Sequence, residues 1–120
     1  MSPTLSFIPK SLDLAVYAGD GCAVRIIVRD KSTGTSLSVV GDHSAQIRTN
    51  RLDVAAVESF EIDDSNASDG VLLLSLSGEQ TADLGDGFKG VWDLQWIAPG
   101  AEPMTLVQGK ITCTIDVTRP

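Results

Sequence analysis

The chain has 120 residues, with 9 Lys and Arg against 16 Asp and Glu and a net charge of −7. This length suits one domain with a single buried core, and 42% hydrophobic and 21% charged residues match a globular protein rather than a disordered one. The acidic balance, with its scattered Lys and Arg, argues against binding to nucleic acid or to an acidic membrane surface.

No apolar run comes near the roughly 20 residues that span a bilayer; Val71 to Leu74 is typical. Met1-Ser2-Pro3-Thr4 lacks the basic and apolar regions of a secretory signal, so folding in a cytoplasm is expected. Residues 1–10 read as an extended N-terminal arm, because Pro3 and Pro9 block a helix. Leu5, Phe7 and Ile8 cannot be buried within such an arm, so they are candidate partner contacts, either on an edge of their own sheet or on a neighbour.

From residue 11 to 120 the pattern is period two. Leu12, Leu14 and Val16 alternate with Asp13, Ala15 and Tyr17 up to the Gly19-Asp20-Gly21 turn. Cys22, Val24, Ile26 and Val28 alternate with Ala23, Arg25, Ile27 and Arg29, and the polar stretch Asp30 to Thr35 follows. Ala45 and Ile47 form a third phase. Val54 to Ile62 is ambiguous: a strand broken at Glu58-Ser59, or one strand with a polar outer face. Leu72, Leu74 and Leu76 lead into a short helical turn near residues 77–84, with Ser77 as its cap and Gly85 after its end. Trp92, Leu94 and Trp96, then Ile111, Cys113, Ile115 and Val117, complete the set. Alternate side chains of a strand point to opposite faces, so each segment buries one face and wets the other. The fold class is therefore all-β, a single antiparallel sandwich of about seven strands. Cys22, Val24, Ile26, Leu74, Trp92, Leu94, Ile111, Cys113 and Ile115 are expected inside.

The chemistry-bearing residues are sparse. His43 is the only histidine and reads as a surface residue at a strand start, because Asp42 and Ser44 face away from each other. No catalytic residue, cofactor or metal ligand is assigned, and the protein is read as a non-enzyme. Two Cys and one His cannot build a zinc site, and Asp63 to Gly70 reads as a hairpin loop, with a weak cation site as the alternative. Cys22 and Cys113 read as buried thiols, or as a cross-strand pair formed in an oxidising medium. Trp92 and Trp96 read as core, with an exposed sugar platform as the alternative. Asn66-Ala67-Ser68 matches a glycosylation sequon, but without a secretion signal the match is chance.

The order of landmarks resembles one family of phage structural domains. It is the immunoglobulin-like domain of phage baseplate upper proteins and small minor tail proteins. The landmarks are Leu12 to Asp20 ending in Gly-Asp; Arg29 to Gly34; Leu37 to Gly41; Ala45-Gln46-Ile47-Arg48; Leu74 to Leu84; Trp92-Asp93-Leu94; and Val107 to Thr112 with Gly109. The family's usual Gly-Asp-Thr turn reads Gly19-Asp20-Gly21 here. Longer members add a trimerising or receptor-binding part, so the resemblance implies the scaffold role and not receptor binding. It implies a virion structural protein of a tailed bacteriophage, a minor tail or baseplate component. Such a protein would be assembled in the bacterial cytoplasm, homo-oligomeric in the particle, and partnered by tail, baseplate or capsid subunits. Capsid decoration is the alternative location, and a carbohydrate-binding module facing the host envelope is the alternative class.

Overall fold

The computed structural model describes residues 10–29, 33–53 and 55–115. The alternating segments become strands: β1 (Lys10–Ser11), β2 (Leu14–Ala18), β3 (Cys22–Ile27), β4 (Asp42–Arg48), β5 (Glu58–Ser59), β6 (Glu61–Asp63), β7 (Val71–Leu76), β8 (Phe88–Ile97) and β9 (Met104–Ile115). They form two packed sheets. One has the order β1-β9-β8-β4-β5, with β2 also on β9; the other has the order β3-β7-β6.

Two features depart from a purely antiparallel sandwich of about seven strands. First, β1 and β2 run parallel to β9, from Lys10 opposite Val107 to Ala18 opposite Ile115. Second, the ambiguous segment divides between the sheets. Glu58–Ser59 is itself the short strand β5 beside β4, and Glu61–Asp63 pairs with β7 in the other sheet. Phe60 marks the crossing. Its amide donates to the Ala45 carbonyl at 2.9 Å, and its buried ring lies 5.5 Å from that of Trp92. A polar pair such as Glu58-Ser59 is accommodated because an edge strand buries little of itself.

The inner faces meet as the alternation requires. Ile26, Leu74, Trp92, Leu94, Ile111 and Cys113 are buried, and Cys22 and Val24 are half-buried against the same core. Ile115 is a correction: it is 46% exposed. Cys113 is the last inward position that helix α1 (Gly78–Leu84) covers, its Sγ lying 3.5 Å from the Thr81 carbonyl, and Ile115 lies one inward step beyond it. The core also includes Val16, Val39, Ile47, Phe60, Leu72, Leu106 and Val107.

The helix forms where Ser77 was expected to cap it. Gln80 N–H donates to Ser77 Oγ at 3.1 Å, and the Gln80 side chain accepts from the Ser77 amide at 2.9 Å. This reciprocal pair satisfies two donors that the helix start leaves open.

Candidate interaction surfaces

The end of the sandwich is shut by Thr81. Its hydroxyl accepts from the Gly19 amide at 3.0 Å, and the carbonyls of Asp20, at 2.9 Å, and Gly78, at 3.0 Å, share its proton. Helix α1 is thereby tied to the β2–β3 turn, and this end of the molecule offers closure rather than a pocket.

His43 is not a surface residue; its side chain is only 3% exposed. Nε2 lies 2.5 Å from the Val39 carbonyl oxygen, which can only accept, so Nε2 carries the hydrogen. Nδ1 faces Asp64 Oδ2 at 3.6 Å. A ring engaged in this way is held in place rather than presented to a substrate. Asp64 is 21 positions away in sequence, so alternation around residue 43 gives no sign of it.

The Asp63 to Gly70 loop holds itself together. Asp63 Oδ1 accepts from the Ser65 amide at 3.0 Å and from its hydroxyl at 2.7 Å, which lowers the Asp63 pKa. A 3-10 turn at Ala67–Asp69 follows and ends at Gly70, whose φ is 79°. Among the described residues no three His, Cys, Asp or Glu side chains gather to hold a metal.

The outer face of the larger sheet is polar. Arg48 donates to Gln46 Oε1 at 2.6 Å and Arg51 to Gln108 Oε1 at 3.1 Å. Asp93 lies between Gln46 and Gln108 in the register. Burial raises its pKa, and the charges of Arg48 and Arg51 oppose the rise.

The smaller sheet is different. Its outward rows set Arg25 beside Leu73 and Asp63, and Ile27 beside Val71. Ile27 is 43% and Leu73 39% exposed, so apolar side chains are uncovered on that face. Beside them, β3 has β7 on one side only among the described residues. The Val28 amide donates to the Gly70 carbonyl at 2.8 Å, so even-numbered residues of the strand bond toward β7. In an antiparallel pair the intervening residues turn their backbone groups the other way, so Ala23, Arg25 and Ile27 turn theirs away from β7. Leu52, 95% exposed on the loop after β4, is a further apolar point that alternation does not mark.

Both tryptophans are anchored inward. Trp92 Nε1 donates to the Leu12 carbonyl at 2.9 Å, and Trp96 Nε1 to that of Val40 at 3.1 Å. Trp92 is buried and Trp96 packs against the core, so neither ring is laid out as an open platform. The expected contacts Leu5, Phe7 and Ile8 lie outside the described residues.

No family model matches the chain, and no curated protein matches it. Solved structures do. One is a chain of the crystal structure of ICOS in complex with ICOS-L and an anti ICOS-L VNAR domain, with a TM-score of 0.50 and 10% identity over 90% of this chain. The match spans 56% of that chain's length. Another is Tim-1, with a TM-score of 0.48 and 8% identity, covering 94% of this chain and all of that one. The fold is immunoglobulin-like.

In an immunoglobulin-like domain one sheet carries strands A, B, E and D, and the other C, F and G. Here β3-β7-β6 occupies the B-E-D positions and β4-β8-β9 the C-F-G positions. Among the described residues no strand lies beside β3 on the side away from β7, and β1 and β2 lie along β9. The B–F disulfide of antibody domains has no counterpart. Cys22 is on β3, β8 places Trp92 and Leu94 inside, and Cys113 is on β9; both thiols are free.

Proposed function

We propose that this immunoglobulin-like domain is a non-catalytic interaction module, a virion structural protein of a tailed phage in the tail or baseplate. The observation that carries the reading is the order of sequence landmarks that resembles phage baseplate and minor tail domains. Those landmarks fall on successive elements of one domain. The Gly19-Asp20 turn joins β2 to β3, Ile47-Arg48 ends β4, Leu74-Ser75-Leu76 leads into α1, and Trp92-Asp93-Leu94 lies in β8. The uncovered side chains of Ile27 and Leu73 support a role exercised through surfaces, and the engaged ring of His43 supports the absence of acid–base chemistry.

Particle assembly multiplies each contact by symmetry, so modest interfaces suffice. The test is mass spectrometry of purified phage particles, joined to labelling of the protein for electron microscopy. Density at the tail or baseplate is the expected result. Label on the head assigns the decoration role instead, and absence from the particles overturns the virion reading.

A further inference from the structure

We propose that the outer face of the β3-β7-β6 sheet docks onto the same face of a second copy of this chain, about a two-fold axis along β7 that sets Arg25 of each copy over Asp63 of the other. The proposal rests on the interaction-module reading and deepens it by naming the surface and its occupant, and its test needs no phage particle.

The face is built by alternation. One row across the three strands reads Arg25, Leu73, Asp63, and all three side chains are exposed. The row on one side reads Ile27 and Val71, and the row on the other reads Ala23, Ser75, Glu61. Their neighbours Ile26, Leu72 and Leu74 turn into the core, so nothing on this face is needed to fill it.

Charge selects the occupant. Among the described residues Arg25 takes part in no hydrogen bond or ion pair. Asp63 gives one carboxylate oxygen, Oδ1, to Ser65, and its other oxygen has no partner among the described residues. Leu73 stands between the two charges, which do not pair with each other. Residues 1–9 carry no charged side chain, so that stretch offers neither group an opposite charge.

A second copy offers both. A two-fold rotation about β7 exchanges β3 with β6 and keeps each residue's position along the strands. Every row then faces itself reversed: Arg25 meets Asp63, Leu73 meets Leu73, and Asp63 meets Arg25. This is the self-complementarity that a two-fold contact requires. The flanking rows agree. Val71 meets Val71, and Ile27 falls beyond it on the β6 side, at a hollow that Asp63, Ser65, Asn66 and Val71 help to line. Glu61 meets Ala23, so no like charges are opposed. The Arg25 row is neutral while the whole chain carries −7, so copies that repel elsewhere meet here without net charge across the row.

Size sets the strength. The six residues of β3 span about 20 Å, and three strands about 4.8 Å apart make a face about 15 Å wide. That footprint falls short of the roughly 800 Å² per partner of a stable interface, so pairing is weak in dilute solution and grows with concentration.

The test is sedimentation of the full chain up to about 1 mM, with circular dichroism to confirm that each variant folds. Mass should rise with concentration to that of a dimer and stop there. Leu73→Asp and Leu73→Lys should each weaken association at least about tenfold, because each sets like charges together on the axis, and an equal mixture of the two should recover most of the loss. Arg25→Glu and Asp63→Arg should behave in the same way, weak alone and recovered when mixed. Asp63→Arg also removes the Ser65 hydrogen bonds, so the Leu73 variants, on an exposed side chain, keep the test valid if that one fails to fold.

A chain that stays monomeric at about 1 mM overturns the proposal. Growth beyond a dimer overturns it too, as does a mixture that associates no better than its components. A monomeric chain that Leu73→Asp destabilises would show the face covered from within, against the proposal. A dimer that is absent from particles sinks only the virion reading, and a chain that enters particles without pairing sinks only this one.

Discussion

The indole of Trp92 donates to the carbonyl of Leu12 at 2.9 Å, directly over Gly109, the residue opposite Trp92 in the register. A Cβ on Gly109 would lie 1.9 Å from the Leu12 carbonyl oxygen. The break between β1 and β2 thus depends on the missing side chain. Gly109→Ala should destabilise by about 1–3 kcal/mol or more, since backbone rather than a flexible side chain has to move. Urea unfolding of the variant measures this, and an unchanged midpoint would show that Leu12 does not pass over this glycine.

Thr81 offers a second test. Replacement by Val keeps the shape and removes the hydroxyl, leaving the Gly19 amide and the Asp20 carbonyl without their partner. The expected loss is about 1–3 kcal/mol, and Thr81→Ser should recover most of the hydrogen-bond part. If Val and Ser melt alike, the hydroxyl does not tie α1 to the β2–β3 turn.

Leu94 and Ile115 form a contrasting pair. Leu94→Ala opens a cavity in the centre of the core and should cost about 2–5 kcal/mol. Ile115→Ala, at an exposed strand end, should stay within about 0.5 kcal/mol. Equal losses would place Ile115 back under cover.

Asp93 sets a pH dependence. Burial raises its pKa above the ordinary 3.8, so the native state holds this proton more tightly than the unfolded chain. The contribution is complete below the ordinary value and fades as pH rises through the raised one. Asp93→Asn should therefore match or exceed the wild-type stability at pH 7 and flatten the fall in stability as pH rises above the ordinary 3.8. A variant markedly weaker at neutral pH would mean that the attraction of Arg48 and Arg51 outweighs burial.

The thiols complete the set. Burial raises the pKa of both Cys22 and Cys113, and the charge of Asp86 adds to the rise at Cys113. Little thiolate forms at neutral pH, so labelling by a water-soluble disulfide reagent should be slow. Half-buried Cys22 should react before buried Cys113. Reaction of both within minutes would contradict their placement.

Which faces of β3, β7, β8 and most of β9 turn inward was legible in the residues, because a strand's period of two is written in neighbouring positions. The capped helix was legible too, since Ser77 and Gln80 meet within one turn. What depends on partners elsewhere in the chain emerges only on folding. The His43 side chain is held inward between the Val39 carbonyl and Asp64, and Ile115 is exposed because α1 covers no further than Cys113. Phe60 became the crossing point between sheets because its ring reaches Trp92, 32 positions away in sequence. The neighbours of each strand have the same origin. Alternation assigns side chains to faces, but which strand lies beside which is decided only when β1 and β2 settle along β9.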